Sequence, residues 1–302
     1  MTTATSLPTH AKVQTPLRRF VSQFLESRTA LLGLIALALV VSSALFAPLI
    51  APQDPYDLST LNIMDGMLHP GGESFDGITF WLGSDEQGRD LLSAILYGLR
   101  TSLLVAFSST AMALAIGLIV GMVAAYAGGG TDSAIMRLVD IQLSFPAILI
   151  ALILLAVLGK GVDKVIVALT AVQWAYYART VRSAALVERR KEYVEAAQCL
   201  ALPSRSIVLR HLLPNCLPPL IVVATVQVAH AITLEATLSF LGVGVPVTEP
   251  SLGMLIASGF DYMLSGEYWV SVFPGLALLI TIVSINLVGD QMRDVLNPRL
   301  QH

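Results

Sequence analysis

Charged side chains are scarce in this sequence: 18 Lys or Arg and 21 Asp or Glu among 302 residues, 13% in all. An average soluble domain carries about 25%, so a free-standing water-soluble fold is excluded, as is the clustered positive charge of a nucleic-acid-binding face. Cysteine is nearly absent. Cys199 and Cys216 are too few for a disulfide framework and lack the spacing of a metal site. No G-x-x-x-x-G-K-[ST] loop is present to hold nucleotide phosphates, and neither H-E-x-x-H nor G-x-S-x-G occurs. Nucleotide, metalloprotease and serine-hydrolase chemistry therefore have no anchor here. No catalytic residue, resident cofactor or metal ligand is expected of this chain.

Apolar residues take the place of charge, at 55% of the chain and a mean hydropathy of +0.73. They are concentrated in six runs free of Asp, Glu, Lys and Arg: 29–53, 101–131, 141–159, 165–178, 211–234 and 268–289. A hydrocarbon core about 30 Å thick needs about 20 helical residues, which points to an all-α integral membrane protein with six transmembrane helices. The fourth run is short, and becomes adequate if Lys164 and Arg179 extend their charged ends to the two interfaces. The first starts near Leu31 and outlasts a signal-peptide core, so it reads as a retained anchor.

Lys and Arg accumulate in cytoplasmic loops. With both termini inside, Lys12, Arg18, Arg19, Arg28, Arg137, Arg179, Arg182, Arg189, Arg190, Lys191, Arg205, Arg210, Arg293 and Arg299 are cytoplasmic, against Arg89, Arg100, Lys160 and Lys164 outside. Both cysteines then fall at a cytoplasmic loop, where thiols stay reduced. Residues 51–100 become an acidic outer segment carrying Asp54, Asp57, Asp65, Glu73, Asp76, Asp85, Glu86 and Asp90.

Along the chain, residues 1–28 read as a polar, basic cytoplasmic lead and 29–302 as the transmembrane domain, with core spans over 101–290. Pro, Gly and Asp in APQDPYD and HPGGESFDG favour turns. Ser84 and Gln87 have the spacing of a capping box, and Leu91, Leu92, Ile95 and Leu96 predict an amphipathic helix on the outer surface before the second span. In that span Ala113, Gly117, Gly121 and Ala125 form a small-residue ladder that predicts close helix packing. Span three is placed near Ser144 and Pro146, span four over about 162–180, span five from Pro218 to Phe240 and span six from Tyr268 to Gly289. GVGVPVTEPSLGMLIASGFDYMLSGE, between the last two, is too broken to cross and predicts a short or re-entrant outer helix.

The most specific segment is EAAQCLALPSRSIVLRHLLP, residues 195–214, a polar helical hairpin set between apolar runs and divided by Pro203. It resembles the EAA loop of ABC importer permeases. LGSDEQGRDLLSAILYGLRTSL, EATLSFLGVG and VFPGLALLITIVSINLVGDQMRDVLNPRL, in that order, resemble the dipeptide/oligopeptide/nickel permease family, so that the similarities cover most of residues 80–300. The resemblance implies the type I ABC importer permease fold, in which the 180–214 loop couples to an ATPase through Glu195, Ala196, Ala197, Ala201, Pro203, Ser204, Arg205, Leu213 and Pro214. It also implies a second homologous permease, two ATP-binding subunits and an extracytoplasmic solute-binding protein as partners, in the plasma (inner) membrane of a bacterium, with short peptides or a related small solute as cargo. Two positions depart from the pattern: Ala201 stands where the family has Gly, weakening any argument for a positive φ there, and His211 where it has an apolar residue.

His230 and Glu235 are ionisable residues within span five, hence candidates for the pathway or its gate, with Glu235 near the outer boundary. Gln173, Gln227 and Asn286 read as interhelical hydrogen-bonding groups. An ion-coupled secondary transporter would call for midplane ionic sites or internal repeats, and neither is clear. A non-transport membrane subunit would explain the hydropathy but not the 195–214 loop.

Overall fold

The computed structural model describes residues 16–296, apart from 56, 58, 60 and 247; Lys12 and Arg299 lie outside the described residues. The chain begins with α1 (Pro16–Glu26) and α2 (Arg28–Leu45), separated by Ser27, whose hydroxyl caps α2 by accepting from Ala30 N at 3.3 Å. Residues 16–26 of the N-terminal lead are therefore helical. Phe20, Val21, Phe24 and Leu25 recur at helical spacing, Phe20 and Phe24 stack at 6.2 Å, and Gln291 Nε2 donates to Gln23 O. The apolar face is only two turns long, too short for the sequence pattern to stand out beside the surrounding basic residues.

After the short α3 (Ala47–Ile50), residues 51–90 form a folded cap with a small hairpin, β1 (Gly72–Glu73) paired antiparallel with β2 (Thr79–Phe80). The cap is held by its acidic side chains. Asp65 accepts from Ser74 Oγ at 2.6 Å and Phe75 N at 2.8 Å. Buried Asp85 accepts from Arg89 Nε at 2.6 Å and from the Gln87 and Arg89 amides. No amphipathic helix starts at Ser84. Its hydroxyl is engaged with Leu68 N and Asp65 O, and Gly88, at φ +77, turns the chain. The helix begins at Leu91, capped by Asp90, which accepts from Ser93 N and Ser93 Oγ at 2.8 and 2.6 Å. It then runs without a break into span two, giving one helix, α4 (Leu91–Ala127), of 37 residues, about 55 Å long.

Gly128 and Gly129, at φ +66 and +52, end α4. α5 (Gly129–Ser144) and α6 (Ala147–Leu158) follow, bent by 91° across Phe145 and Pro146. The third span is thus a broken pair rather than a straight helix, because Pro146 has no amide to donate and disfavours helical backbone at Phe145. α7 (Val162–Glu188) lies along α4 over most of its length. The two meet on the small-residue ladder: Ala113, Gly117, Gly121 and Ala125 are all buried. A Cβ on Gly117 would lie 2.7 Å from Trp174 O and against the Tyr177 side chain. One on Gly121 would lie 2.8 Å from Val181 Cβ and closer still to Ala178 O. α5 is held to the same helix by Arg182, which donates to both oxygens of Asp132 at 2.9 and 2.6 Å, by the Arg179–Asp140 pair and by Gln142 donating to Ala171 O.

α8 (Glu192–Cys199) and the single turn α9 (Ser204–Ser206) precede a π-helical segment, Ile207–Leu212, which runs into α10 (Leu213–Phe240). This helix starts five residues before the expected Pro218, and Pro218 and Pro219 lie inside it. α11 (Leu252–Phe260) and α12 (Trp269–Leu296) complete the chain. Among the described residues, four helical stretches are long and apolar enough to cross a membrane: α2, α4, 204–240 and α12, with α5–α6 a fifth if counted as one span. α7 occupies the place of the remaining span between α4 and α10. It has the length but carries Asp163, Lys164, Arg179, Arg182 and Glu188 toward its ends. The core lies where α4, α7 and α10 meet, crosslinked by Thr110 Oγ1 donating to Gln173 Oε1 and Gln173 Nε2 donating to Gln227 O.

Candidate functional site

The loop between α7 and α10 sits at the end of α4 remote from the 51–90 cap. Arg189 closes α7 by donating to Ala125 O and Tyr126 O, at 2.8 and 3.2 Å, with its guanidinium 5.4 Å from the Tyr126 ring centroid. α8 then turns Val194 and Ala197 inward to the cluster containing Ile207, Leu212 and Cys216. Its other residues face out.

The end of α8 explains the corner. Leu202 N donates to Ala197 O and Ala201 N to Gln198 O, the paired bonds of a Schellman motif. That motif requires left-handed backbone at the residue after the cap, and Ala201 supplies it at φ +53. The substitution of Ala for Gly does not remove the turn. The hydrogen bonds hold it against a local cost of about 1–2 kcal/mol for an L-residue. Pro203 follows and opens α9.

The result is a projecting surface. Glu195, Ala196, Ala201, Pro203, Ser204, Arg205 and Pro214 are exposed, Leu213 is half-buried and Ala197 is turned inside. Neither Glu195 nor Arg205 has an ion pair among the described residues. Beside them Leu200 is 75% exposed, an apolar side chain left at the tip of a polar loop.

A side-chain network not legible in the sequence ties α8 to its supports. Glu188 accepts from Lys191 Nζ and Tyr193 Oη, each at 2.6 Å. Asn215 Nδ2 donates to Tyr193 Oη at 3.1 Å and to His211 O at 2.7 Å. Desolvation, together with the Glu188 carboxylate, pushes the Tyr193 phenol up to about 12. His211, the second departure from the family pattern, lies in the π-helical segment with its ring 6.3 Å from that of Tyr193.

At the other end of the same helix, α10 buries most of its surface against α4, α7, α11 and α12. One stripe remains uncovered: Val226, His230, Thr233, Thr237 and Phe240, at spacings of four and three. His230 is half-buried on this stripe. Glu235 is not on it. It is fully buried, accepting from Ser102 Oγ of α4 at 2.7 Å and Ser239 Oγ at 2.8 Å, so within this chain it faces neighbouring helices and not an opening. Gln173 and Gln227 join α7 to α10, whereas Asn286 is exposed on α12. Thr233 and Thr237 do not stand out in the sequence, although their spacing from His230 places all three on one helical face.

Residues 113–302 match the family described as binding-protein-dependent transport system inner membrane component. Residues 15–70 match the N-terminal TM domain of oligopeptide transport permease C. The chain is similar to the di/tripeptide transport system permease protein DppC of Pseudomonas aeruginosa, 38% identical over 292 residues, covering 95% of this chain and 93% of the relative. It is 34% identical to the dipeptide transport system permease protein DppC of Haemophilus influenzae, covering 95% and 96%. Among solved structures, the inward-facing MetNI methionine ABC transporter shares the fold, with a TM-score of 0.55, 24% identity, and coverage of 67% of this chain and 96% of that one.

Proposed function

Because this chain belongs to the binding-protein-dependent transport system inner membrane component family, the permeases of ABC importers, we propose that it forms one half of a peptide translocation pathway and takes its drive from ATPase subunits docked on the 195–214 loop. The observation that carries this reading is the loop itself. A short helix projects from the core on two buried anchors, Val194 and Ala197, and presents Glu195, Ala196, Leu200 and Arg205 outward at the base of the helix that carries the uncovered stripe. Exposed Leu200 is the natural insertion point for a cleft in a soluble partner, with Glu195 and Arg205 supplying directed polar contacts at the rim.

The stripe on α10 completes the pathway. The exposed faces of α2 and α6 are largely apolar, and polar side chains in a membrane turn toward protein or water. His230, Thr233 and Thr237 therefore face a second, homologous permease and the aqueous route between the two chains. The relatives named for dipeptide and di/tripeptide transport favour short peptides as cargo, delivered by an extracytoplasmic solute-binding protein. The excess of Lys and Arg on the loop side supports a cytoplasmic position for that loop and both termini, in a bacterial cell, with the 51–90 cap outside. ATP and Mg are held by the ATPase subunits, since this sequence has no phosphate loop.

The test is gentle extraction of the tagged chain from native membranes, with mass spectrometry of what stays bound. The expected result is a second permease and P-loop ATPases. Recovery of the chain alone, under conditions that preserve other membrane complexes, would defeat the proposal.

A further inference from the structure

The apolar face of α1 is only half covered. Phe24 is buried, and Gln291 Nε2 of α12 holds the helix by donating to Gln23 O at 3.2 Å. Val21 and Leu25, on the same face, remain 44% and 51% exposed. Between them and Leu34 of α2, Val288 and Met292 of α12 runs a groove of about 310 Å³ with no polar side chain in its lining. Beside Leu34 and Val288 the two long helices touch, since a Cβ on Gly33 would lie 2.6 Å from Leu287 Cβ.

Leu34 lies about 9 Å along α2 from Arg28, the residue that opens the helix. The groove therefore starts where α2 enters the bilayer and descends into the hydrocarbon, beyond the reach of a soluble partner. α1 packs on α2 and α12, whereas the second permease is placed on α10. Lipid is what borders the groove. Its rim is basic: Arg18, Val21 and Leu25 follow at spacings of three and four, so a cation shares the uncovered edge of α1, and Arg28 stands at the corner between α1 and α2. Both arginines are exposed, and neither has an ion pair among the described residues. From 16 to 34 the chain carries three arginines and one glutamate. Asp290 and Asp294 are each two positions from Met292, about 200° around the helix, which places them on the far side of α12.

We propose that this groove is a binding site for an anionic glycerophospholipid, with an acyl chain along Val21, Leu25, Leu34 and Met292 and its phosphate against Arg18 and Arg28. The apolar walls accept the chain of any lipid. Selection comes from the two unpaired guanidiniums, because a phosphate with no ammonium beside it keeps its full charge for them. A zwitterionic lipid brings the same chain with a neutralised head. The bound chain completes the apolar face that α12 leaves open and so fixes α1 at the membrane interface. The inference uses only the placement of the chain in a bilayer and is independent of what it transports.

The experiment uses native-membrane vesicles containing the full chain, doped with trace phosphatidylglycerol or phosphatidylethanolamine that carries a photoactivatable diazirine in the acyl chain. After illumination, adducts are located by peptide mass spectrometry. Phosphatidylglycerol should mark residues 20–34 and 288–292 about tenfold more than phosphatidylethanolamine, the discrimination expected of one hydrogen bond to a charged group. Arg18→Gln combined with Arg28→Gln should lower phosphatidylglycerol labelling there to the phosphatidylethanolamine level. Arg137→Gln, at an exposed arginine of α5, should leave it unchanged.

Val21→Trp fills the groove without touching a charge and should remove labelling by both lipids at Leu34 and Val288, separating the chain contact from the head contact. The arginine variants change only exposed side chains, so they carry the test even where the tryptophan variant does not assemble. Equal labelling by the two lipids in the unaltered chain, or a preference that survives loss of both arginines, would overturn the proposal. Labelling by neither lipid would also overturn it, since protein would then cover the groove.

Discussion

Ala201 is the clearest place to test the geometry of the 195–214 loop. It holds left-handed backbone at φ +53 with a β-carbon attached, at a cost of about 1–2 kcal/mol relative to a residue without one. Ala201→Gly removes that cost but enlarges the freedom of the open chain by about 0.4–1 kcal/mol. The net gain is on the order of 0.5–1 kcal/mol, confined to the last turn of α8. Amides that report this turn are those of Leu200, Ala201 and Leu202, donating to Ala196, Gln198 and Ala197. Their hydrogen exchange in the assembled transporter should slow by about two- to fivefold, with the α4 and α7 amides unchanged. Ala201→Val, which adds β-branching in the same conformation, should speed exchange at the same amides. Faster exchange with glycine, or no change with either substitution, would refute the account of a strained Schellman turn.

Glu195→Lys reverses charge on the exposed face of α8 and should leave membrane insertion intact while uncoupling ATP hydrolysis from peptide uptake, measured together in vesicles; normal uptake would contradict the docking role. Gly121→Val drives side-chain atoms into Ala178 O and Val181 and should cost more than the roughly 1–3 kcal/mol of ordinary overpacking, seen as a lower thermal aggregation midpoint than that of Gly130→Ala, whose added β-carbon meets nothing within 4 Å. The Tyr193 phenol should titrate near 12 by ultraviolet difference absorbance against Tyr193→Phe. Because its folded value lies above the ordinary value of 10.0, its contribution to loop stability is intact below about 10 and is lost as pH rises through about 12.

Much of this architecture is readable from local signals. Runs of apolar residues locate the crossing helices, Gly128–Gly129 and Pro146 mark real interruptions, and the period-four ladder of α4 marks the face that receives α7. What stays hidden depends on residues far apart in the chain. Ser84 satisfies the spacing of a helix cap, yet Leu68 and Asp65 engage its hydroxyl first. Glu235 reads as a gate from its depth alone, because nothing local ties it to Ser102, 133 positions away. Ala201 shows the reverse error. Side-chain preference argues against a left-handed residue, and the backbone bonds closing α8 outweigh that preference.

The π-helical segment at Ile207–Leu212 has a consequence for how the two ends of α10 are registered. A π turn holds one residue more than the α turn it replaces, so six residues there take up the chain that a plain helix would have spread along its axis. Were the segment to tighten to α without losing a residue, everything downstream would rotate by about 100° relative to the 195–214 loop. His230 would leave the uncovered stripe and one of its alanine neighbours would take its place. Deleting one residue between Ile207 and Leu212 would straighten the helix yet keep His230 on the uncovered stripe, whereas a deletion of equal length after Leu220 would leave the loop untouched and turn the stripe away. The phase of the uncovered stripe is thus written in the residue count between loop and stripe, and a single-codon deletion scan across α10 would read it directly.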